Sequence, residues 1–114
     1  MSLENLENEE GDLVYTLIKW HDGAGTRTSG EKLRNEILNN FLETKRRFVI
    51  DFKDLSVISS SFADELLGKL VIEFGFFGFN NLVKLKNMNS LIQQVVQRSV
   101  AQRMSESLKS PKIE

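Results

Sequence analysis

The sequence predicts one small α/β domain with a largely parallel sheet and helices packed against it. Segments with strand-like alternation and segments with helical periodicity follow one another along the chain, and the central strand, residues 48–52, is apolar enough to be buried on both faces. Strands that alternate with helices are typical of parallel sheets with right-handed crossovers. The chain has 114 residues, which is the length of one domain.

The predicted elements follow the order β-α-β-α-β-α. Thr28 and Glu31 match a capping box at the start of the first helix, and Gly75 suits the end of the second. Asn87, Asn89 or Ser90 caps the last helix. We expect Ile50, Leu66, Leu67, Leu70, Val95 and Val96 to be almost fully buried. The predicted bounds are strands at 13–20, 48–52 and 82–86 and helices at 28–44, 61–74 and about 90–104.

Charge and composition divide the chain into an acidic segment (residues 1–12), the domain (13–104) and a frayed tail (105–114). The acidic segment has five carboxylates and no bases, and its weak pattern leaves open whether it adds an edge strand. The absence of cysteine excludes disulfides, thiol chemistry and thiolate zinc sites. No secretion signal or membrane-length apolar run is recognisable, so we expect a soluble, cytoplasmic protein.

The residues that could support catalysis also have ordinary structural explanations. The loop 23–28 has the position of a phosphate-binding loop, but Thr28 stands where a dinucleotide fingerprint needs its third glycine. His21 is the only histidine and falls at a predicted strand end. Asp51, Asp54, Asp64 and Glu65 could approach one another as Mg²⁺ ligands, yet Asp64 and Glu65 equally suit the first turn of a helix. We therefore expect no catalytic, cofactor or metal site.

The most specific stretch is residues 50–67, in which a buried strand ending in Asp51-Phe52 is followed by Ser-Ser-Phe-Ala-Asp-Glu. It resembles the STAS domains of anti-sigma-factor antagonists and, more closely, a bacterial STAS-like family of unknown function. The resemblance extends over about residues 27–103 and implies a small mixed sheet with helices on one side and a role in regulatory protein contacts. In such antagonists a partner kinase phosphorylates one serine at the start of a helix, and the resemblance implies that the corresponding residue here is Ser60.

The predicted partner-binding surface lies around the start of the second helix. We expect Ser61 to cap that helix, which leaves Ser59 and Ser60 without an obvious structural task. Of these, Ser60 is the phosphorylation candidate that the resemblance implies. The segment 74–79 has four phenylalanines around two glycines, and we expect one or two of them to form an exposed apolar patch. The candidate partner-binding residues are Ser59, Ser60, Ser61, Phe62, Asp64, Glu65, Phe76 and Phe77.

The function hypothesis is a regulatory module that binds a kinase-like ATPase or a transcription regulator, with homodimerisation left open. The alternative is a nucleic-acid accessory protein that uses basic residues. The third hypothesis is an enzyme, which would need a deep pocket around Asp51 and Asp64. The basic residues of the alternative are Lys45, Arg46, Arg47, Arg98 and Arg103.

Overall fold

A four-stranded sheet forms one layer of the domain. The structure, a computed structural model, describes residues 6–109. The strands lie in the order β1-β2-β3-β4, with β1 antiparallel to β2 and with β2, β3 and β4 parallel. The acidic segment thus adds a two-residue edge strand. The strands are β1 (Leu6–Glu7), β2 (Leu13–Thr16), β3 (Phe48–Asp51) and β4 (Val83–Lys86).

Within residues 6–109, four helices follow the predicted alternation with the strands. A single wide π-helical turn, Asp64–Gly68, joins α2 to α3, so that the two form one helical stretch. None of the helices within residues 6–109 is long and apolar enough to cross a membrane. The helices are α1 (Arg27–Thr44), α2 (Ser60–Ala63), α3 (Lys69–Leu82) and α4 (Ser90–Lys109).

Several predicted element ends are corrected. The first strand stops at Thr16 and turns into a 3₁₀-helix, Leu17–Lys19. Helix α1 is capped by Thr26, not Thr28, because the Thr26 hydroxyl accepts the Ser29 amide at 3.0 Å. Of the three candidates for α4, Asn89 is the cap. The last helix continues to Lys109 and not only to about residue 104, and residues 110–114 of the predicted tail lie outside the described residues.

Gly75 interrupts α3 but does not end it. Its φ of 77° lies in the left-handed region, which favours glycine, and helical turns resume afterwards and continue to Leu82. The prediction that the second helix ends at Gly75 is therefore wrong. The interruption changes the direction in which the following phenylalanines point.

The core lies between one face of the sheet and the helices. Ile50, Leu66, Leu67 and Leu70 are fully buried and Val96 nearly so, as predicted, whereas Val95 is only half-buried. The pairing register places Leu13, Tyr15, Phe48, Ile50 and Val83 on this face. Lys84 and Lys86 lie on the opposite face and are exposed, whereas Val49 on the same face is buried, as the apolar run of the central strand predicts.

Candidate functional site

Ser59 begins the helical stretch and ties it to the loop after β2. Its hydroxyl accepts the Phe62 amide at 2.9 Å, and its own amide donates to the Ala24 carbonyl at 3.1 Å. The Ala63 amide donates to the Ser59 carbonyl at 3.0 Å and closes the first turn. The prediction that Ser61 is the cap is therefore wrong, because the helix begins earlier than the apolar periodicity indicates.

Ser60 is the first residue of α2 and is exposed, while Ser61 is half-buried. Among residues 8–106, whose side chains the structure describes, neither hydroxyl has a hydrogen-bond partner. Both serines line a pocket of about 310 Å³ that lies against α4; below it is called the α2/α4 pocket. Its lining also includes Arg27, Asp64, Val95, Arg98, Ser99, Gln102, Arg103 and Glu106.

Two of the predicted partner-binding residues are inside the protein. Phe62 is fully buried in the core, and Glu65 is 4% exposed. The prediction that they lie on an accessible surface is wrong. Phe62 points inward because the helix is anchored at Ser59, and Glu65 is buried because cations from neighbouring helices surround it.

Asp64 and Glu65 form the centre of an ion cluster that joins the helices. Asp64 accepts two hydrogen bonds from Arg103, both at 2.8 Å, and one from Arg27 at 3.1 Å. Glu65 accepts from Arg27 at 2.8 Å and from Arg34 and Lys69 at 3.1 Å each. Arg34 also donates to the Glu65 carbonyl oxygen. These contacts connect α1, the π-helical turn, α3 and α4.

Both carboxylates of the ion cluster are strongly stabilised in the charged form. Hydrogen bonds from Arg103 and Arg27 lower the pKa of Asp64 to about 2 against the opposing effect of burial. Burial has the largest single influence on Glu65 and raises its pKa. Hydrogen bonds from Arg27, Lys69 and Arg34 outweigh it, and the pKa of Glu65 falls to about 2.

Two glycines let the helices approach closely enough for these contacts. A β-carbon on Gly30 would lie 2.9 Å from the Phe62 carbonyl oxygen, so α1 contacts the α2 backbone directly. A β-carbon on Gly68 would lie 2.7 Å from Asp64 Oδ1 and 2.9 Å from Arg103 Cγ. Larger residues at either position would force the ion cluster apart.

The family model for a STAS-like domain of unknown function (DUF4325) matches residues 29–93, which is more than half of the chain. The chain belongs to this family. The resemblance inferred from residues 50–67 is thereby confirmed, as is the small α/β fold. No curated protein and no solved structure matches the chain.

Sequence reasoning missed the cationic half of this STAS-like domain's ion cluster. Arg27, Arg34 and Arg103 lie on helices far apart in sequence, so no local pattern connects them with Asp64 and Glu65. Glycines within helical periods were the available signal, because an interior helical glycine is costly unless close packing requires it.

Asp51 and Asp64, two of the carboxylates considered as Mg²⁺ ligands, bind different partners within the protein. Asp51 accepts from the Asn87 amide nitrogen at 2.8 Å and from the Lys53 backbone, whereas Asp64 binds arginines. Within the described part of the chain, no group of three or more His, Cys, Asp or Glu side chains could hold a metal ion. His21 is exposed, and its Nε2 lies 3.7 Å from Asp22 Oδ2.

Most of the basic residues proposed for nucleic acid contact the protein itself. Arg46 donates to the Gly11 carbonyl, Arg47 binds the buried Asp12 at 3.1 Å, and Arg103 belongs to the ion cluster. Lys45 ends α1 in the left-handed conformation with its ammonium over the Phe41 ring. Arg98 lines the α2/α4 pocket. Lys45 and Arg98 are thus the members of this set not held by a hydrogen bond within the described side chains.

The phenylalanine segment 74–79 divides between core and surface. Phe79 is buried and Phe74 half-buried, while Phe76 and Phe77 are 48% and 77% exposed. The two exposed rings contact each other edge to face, with centroids 5.3 Å apart. The prediction of one or two outward rings is confirmed; a role in partner binding stays a prediction.

Proposed function

We propose that this STAS-like domain is a regulatory module that binds a protein partner, a kinase-like ATPase or a transcription regulator, through the surface around Ser60. The observation that carries the proposal is the division of work between Ser59 and Ser60. Ser59 caps the helix, whereas the Ser60 hydroxyl is exposed and bears no structural hydrogen bond within the described residues. Phosphorylation of Ser60 therefore removes no contact that the fold needs.

An apolar depression of about 350 Å³ lies beside this serine and gives the proposed surface its binding energy. It is formed by the loop before α2 and the loop before α1, which the Ser59–Ala24 hydrogen bond holds together. Val57 within it is 59% exposed. An apolar depression next to a modifiable hydroxyl suits a docking surface whose affinity falls when a charge is added. The depression is lined by Ala24, Gly25, Leu55, Val57, Ile58 and Ser59.

The test is affinity capture from the native host by the full chain, read by quantitative mass spectrometry. We expect Ser60→Ala to retain the captured partner and Ser60→Asp to reduce the captured amount at least about tenfold. A repulsion of about 1.4 kcal/mol is enough for a tenfold loss of affinity. Ser105→Asp adds the same charge on the exposed side of α4 and serves as the matched control. Equal capture by Ser60→Asp and the wild type contradicts the proposal.

A second variant separates loss of binding from loss of folding. Val57→Asp places a charge in the depression, and Leu42→Asp places one on an exposed leucine of α1 that lies outside it. We expect only Val57→Asp to abolish capture, with both melting temperatures within a few degrees of the wild type. Capture that survives Val57→Asp removes the depression from the binding surface.

A further inference from the structure

The α2/α4 pocket has more cationic than anionic side chains on its lining. Arg27, Arg98 and Arg103 face it together with Asp64 and Glu106. Both oxygens of Asp64 are already bound by Arg103 and Arg27, and Arg103 also lies 3.7 Å from Glu106. The carboxylates are therefore compensated from within the ion cluster, and one positive charge remains.

That remaining charge belongs to Arg98. Its side chain is exposed and has no ion pair and no hydrogen bond to any of the described side chains or backbone groups. An arginine that lines a pocket without a partner offers a planar set of donors, which matches the oxygens of a phosphate. Hydroxyl and amide groups of Ser61, Ser99 and Gln102 provide further donors around the same space.

Ser60 is itself one of the residues that line the α2/α4 pocket. Phosphorylation would form a bond from Ser60 Oγ to the γ-phosphorus of a nucleoside triphosphate held by the partner. The bond from that phosphorus to the leaving diphosphate breaks, and the hydroxyl proton passes to a base or to water. The new group carries a charge of about −2 at pH 7.

We propose that the α2/α4 pocket is a phosphate-monoester site, and that its occupant is the phosphoryl group carried by Ser60, paired with Arg98 and Arg27. This inference rests on the proposed function for the modification itself. Docked in this way, the phosphate ties the start of α2 to α4 and competes with Asp64 for Arg27. Phosphorylation then alters the proposed binding surface by drawing Ser60 toward α4 as well as by adding charge.

The experiment installs phosphoserine at position 60 of the full chain during synthesis, which makes it independent of any kinase or partner. The second ionisation of the phosphate is followed by ³¹P NMR across pH and compared with that of phosphoserine installed at Ser90, an exposed serine that is likewise the first residue of a helix and lies outside the pocket. We expect the pKa at position 60 to be lower by at least about 0.5 unit, a threefold preference for the dianion. Arg98→Gln should reduce the difference, because Arg27 remains as the second cation of the pocket. Lys19→Gln, which deletes an equal charge at an exposed site away from the pocket, should preserve it.

Equal pKa values at positions 60 and 90 overturn the proposal. If the modified chain is unfolded by circular dichroism, the unmodified chain decides instead, titrated with inorganic phosphate at constant ionic strength. We then expect amide shifts at Ser60, Ser99 and Gln102 that Arg98→Gln abolishes, and their absence overturns the site. Shifts with inorganic phosphate but no effect at a folded phosphoserine 60 overturn Ser60 as the source.

The two proposals fail in different ways. If phosphoserine 60 shows no lowered pKa while Ser60→Asp still releases the captured partner, the pocket proposal is wrong and the regulatory surface stands. If the pKa of phosphoserine 60 is lowered but Ser60→Asp captures as much partner as the wild type, the pocket proposal stands and the proposed function is wrong.

Discussion

The segments 59–67 and 74–79 belong to the same helical stretch, but the first buries a charged side chain and the second exposes an apolar one. In the first, the charged Glu65 is 4% exposed and lies among three cations. In the second, the apolar Phe77 is 77% exposed. Residue type alone would assign the two the other way round. The difference shows that partners and helix phase decided burial in this domain.

The physical causes are distinct. Glu65 is buried at low cost because each of its oxygens meets a guanidinium or an ammonium group, and a buried charge is tolerated only when it is paired. Phe77 is exposed because the left-handed conformation of Gly75 breaks the helical phase that points Leu70 and Phe74 inward. The first segment is held by contacts between distant helices, the second by a local backbone feature.

The largest effect should come from breaking the buried charge. Glu65→Ala leaves Arg34, whose side chain is 14% exposed, without its carboxylate, and should lower the free energy of unfolding by about 3–5 kcal/mol. Urea unfolding at pH 7 measures it. Glu43→Ala, at an exposed position of the same helix as Arg34, is the control and should stay within about 0.5 kcal/mol. A loss below about 1 kcal/mol for Glu65→Ala would contradict the interior position of this segment.

Acid should destabilise the domain through the first segment, because the second segment has no titratable side chain. The pKa values of Asp64 and Glu65 fall from 3.8 and 4.5 to about 2, so folding favours their charged forms. Their contribution to stability is complete above the ordinary pKa values and is lost as the pH falls from there toward 2. Urea midpoints measured at several pH values should decline over this window. The double variant Asp64→Asn, Glu65→Gln should show a shallower decline, and an unchanged slope would exclude these two carboxylates as its cause.

A smaller effect should identify the capping serine. Ser59→Ala removes the acceptor of the Phe62 amide and should cost about 1 kcal/mol, whereas Ser61→Ala should cost less than about 0.5 kcal/mol. Thermal unfolding of the two variants, which differ from the wild type by the same atom, makes the comparison. The reverse order would restore Ser61 as the cap.

The smallest effect should come from the exposed ring of the second segment. Phe77→Ala should change the free energy of unfolding by no more than about 0.5 kcal/mol, because the ring is largely in water already. Phe79→Ala removes the same atoms from a buried position and should cost about 3–5 kcal/mol. Chemical denaturation of both variants tests the division. Similar losses for the two would mean that Gly75 does not separate surface from core.

Much of the fold was predictable because it depends on periodicity. The alternation of elements, the parallel central strand and the burial of Ile50, Leu66 and Leu70 all follow from which positions are apolar and at what spacing. Element ends were predicted less well, since Thr26 and Ser59 are caps only because of where the helix starts, and several neighbouring residues have equally suitable hydroxyls. In the candidate site, the exposure of Ser60, Phe76 and Phe77 could be predicted from the sequence.

What the sequence by itself determined is the order of strands and helices, the family and the presence of an uncommitted serine at the start of α2. What only the tertiary structure decided is the environment of the residues that follow that serine. Arg27, Arg34 and Arg103 reach Asp64 and Glu65 across 31 to 39 positions of the chain. Opposite charges so far apart in sequence meet only when α1 and α4 pack on the π-helical turn, and this packing makes an acidic pair part of the interior.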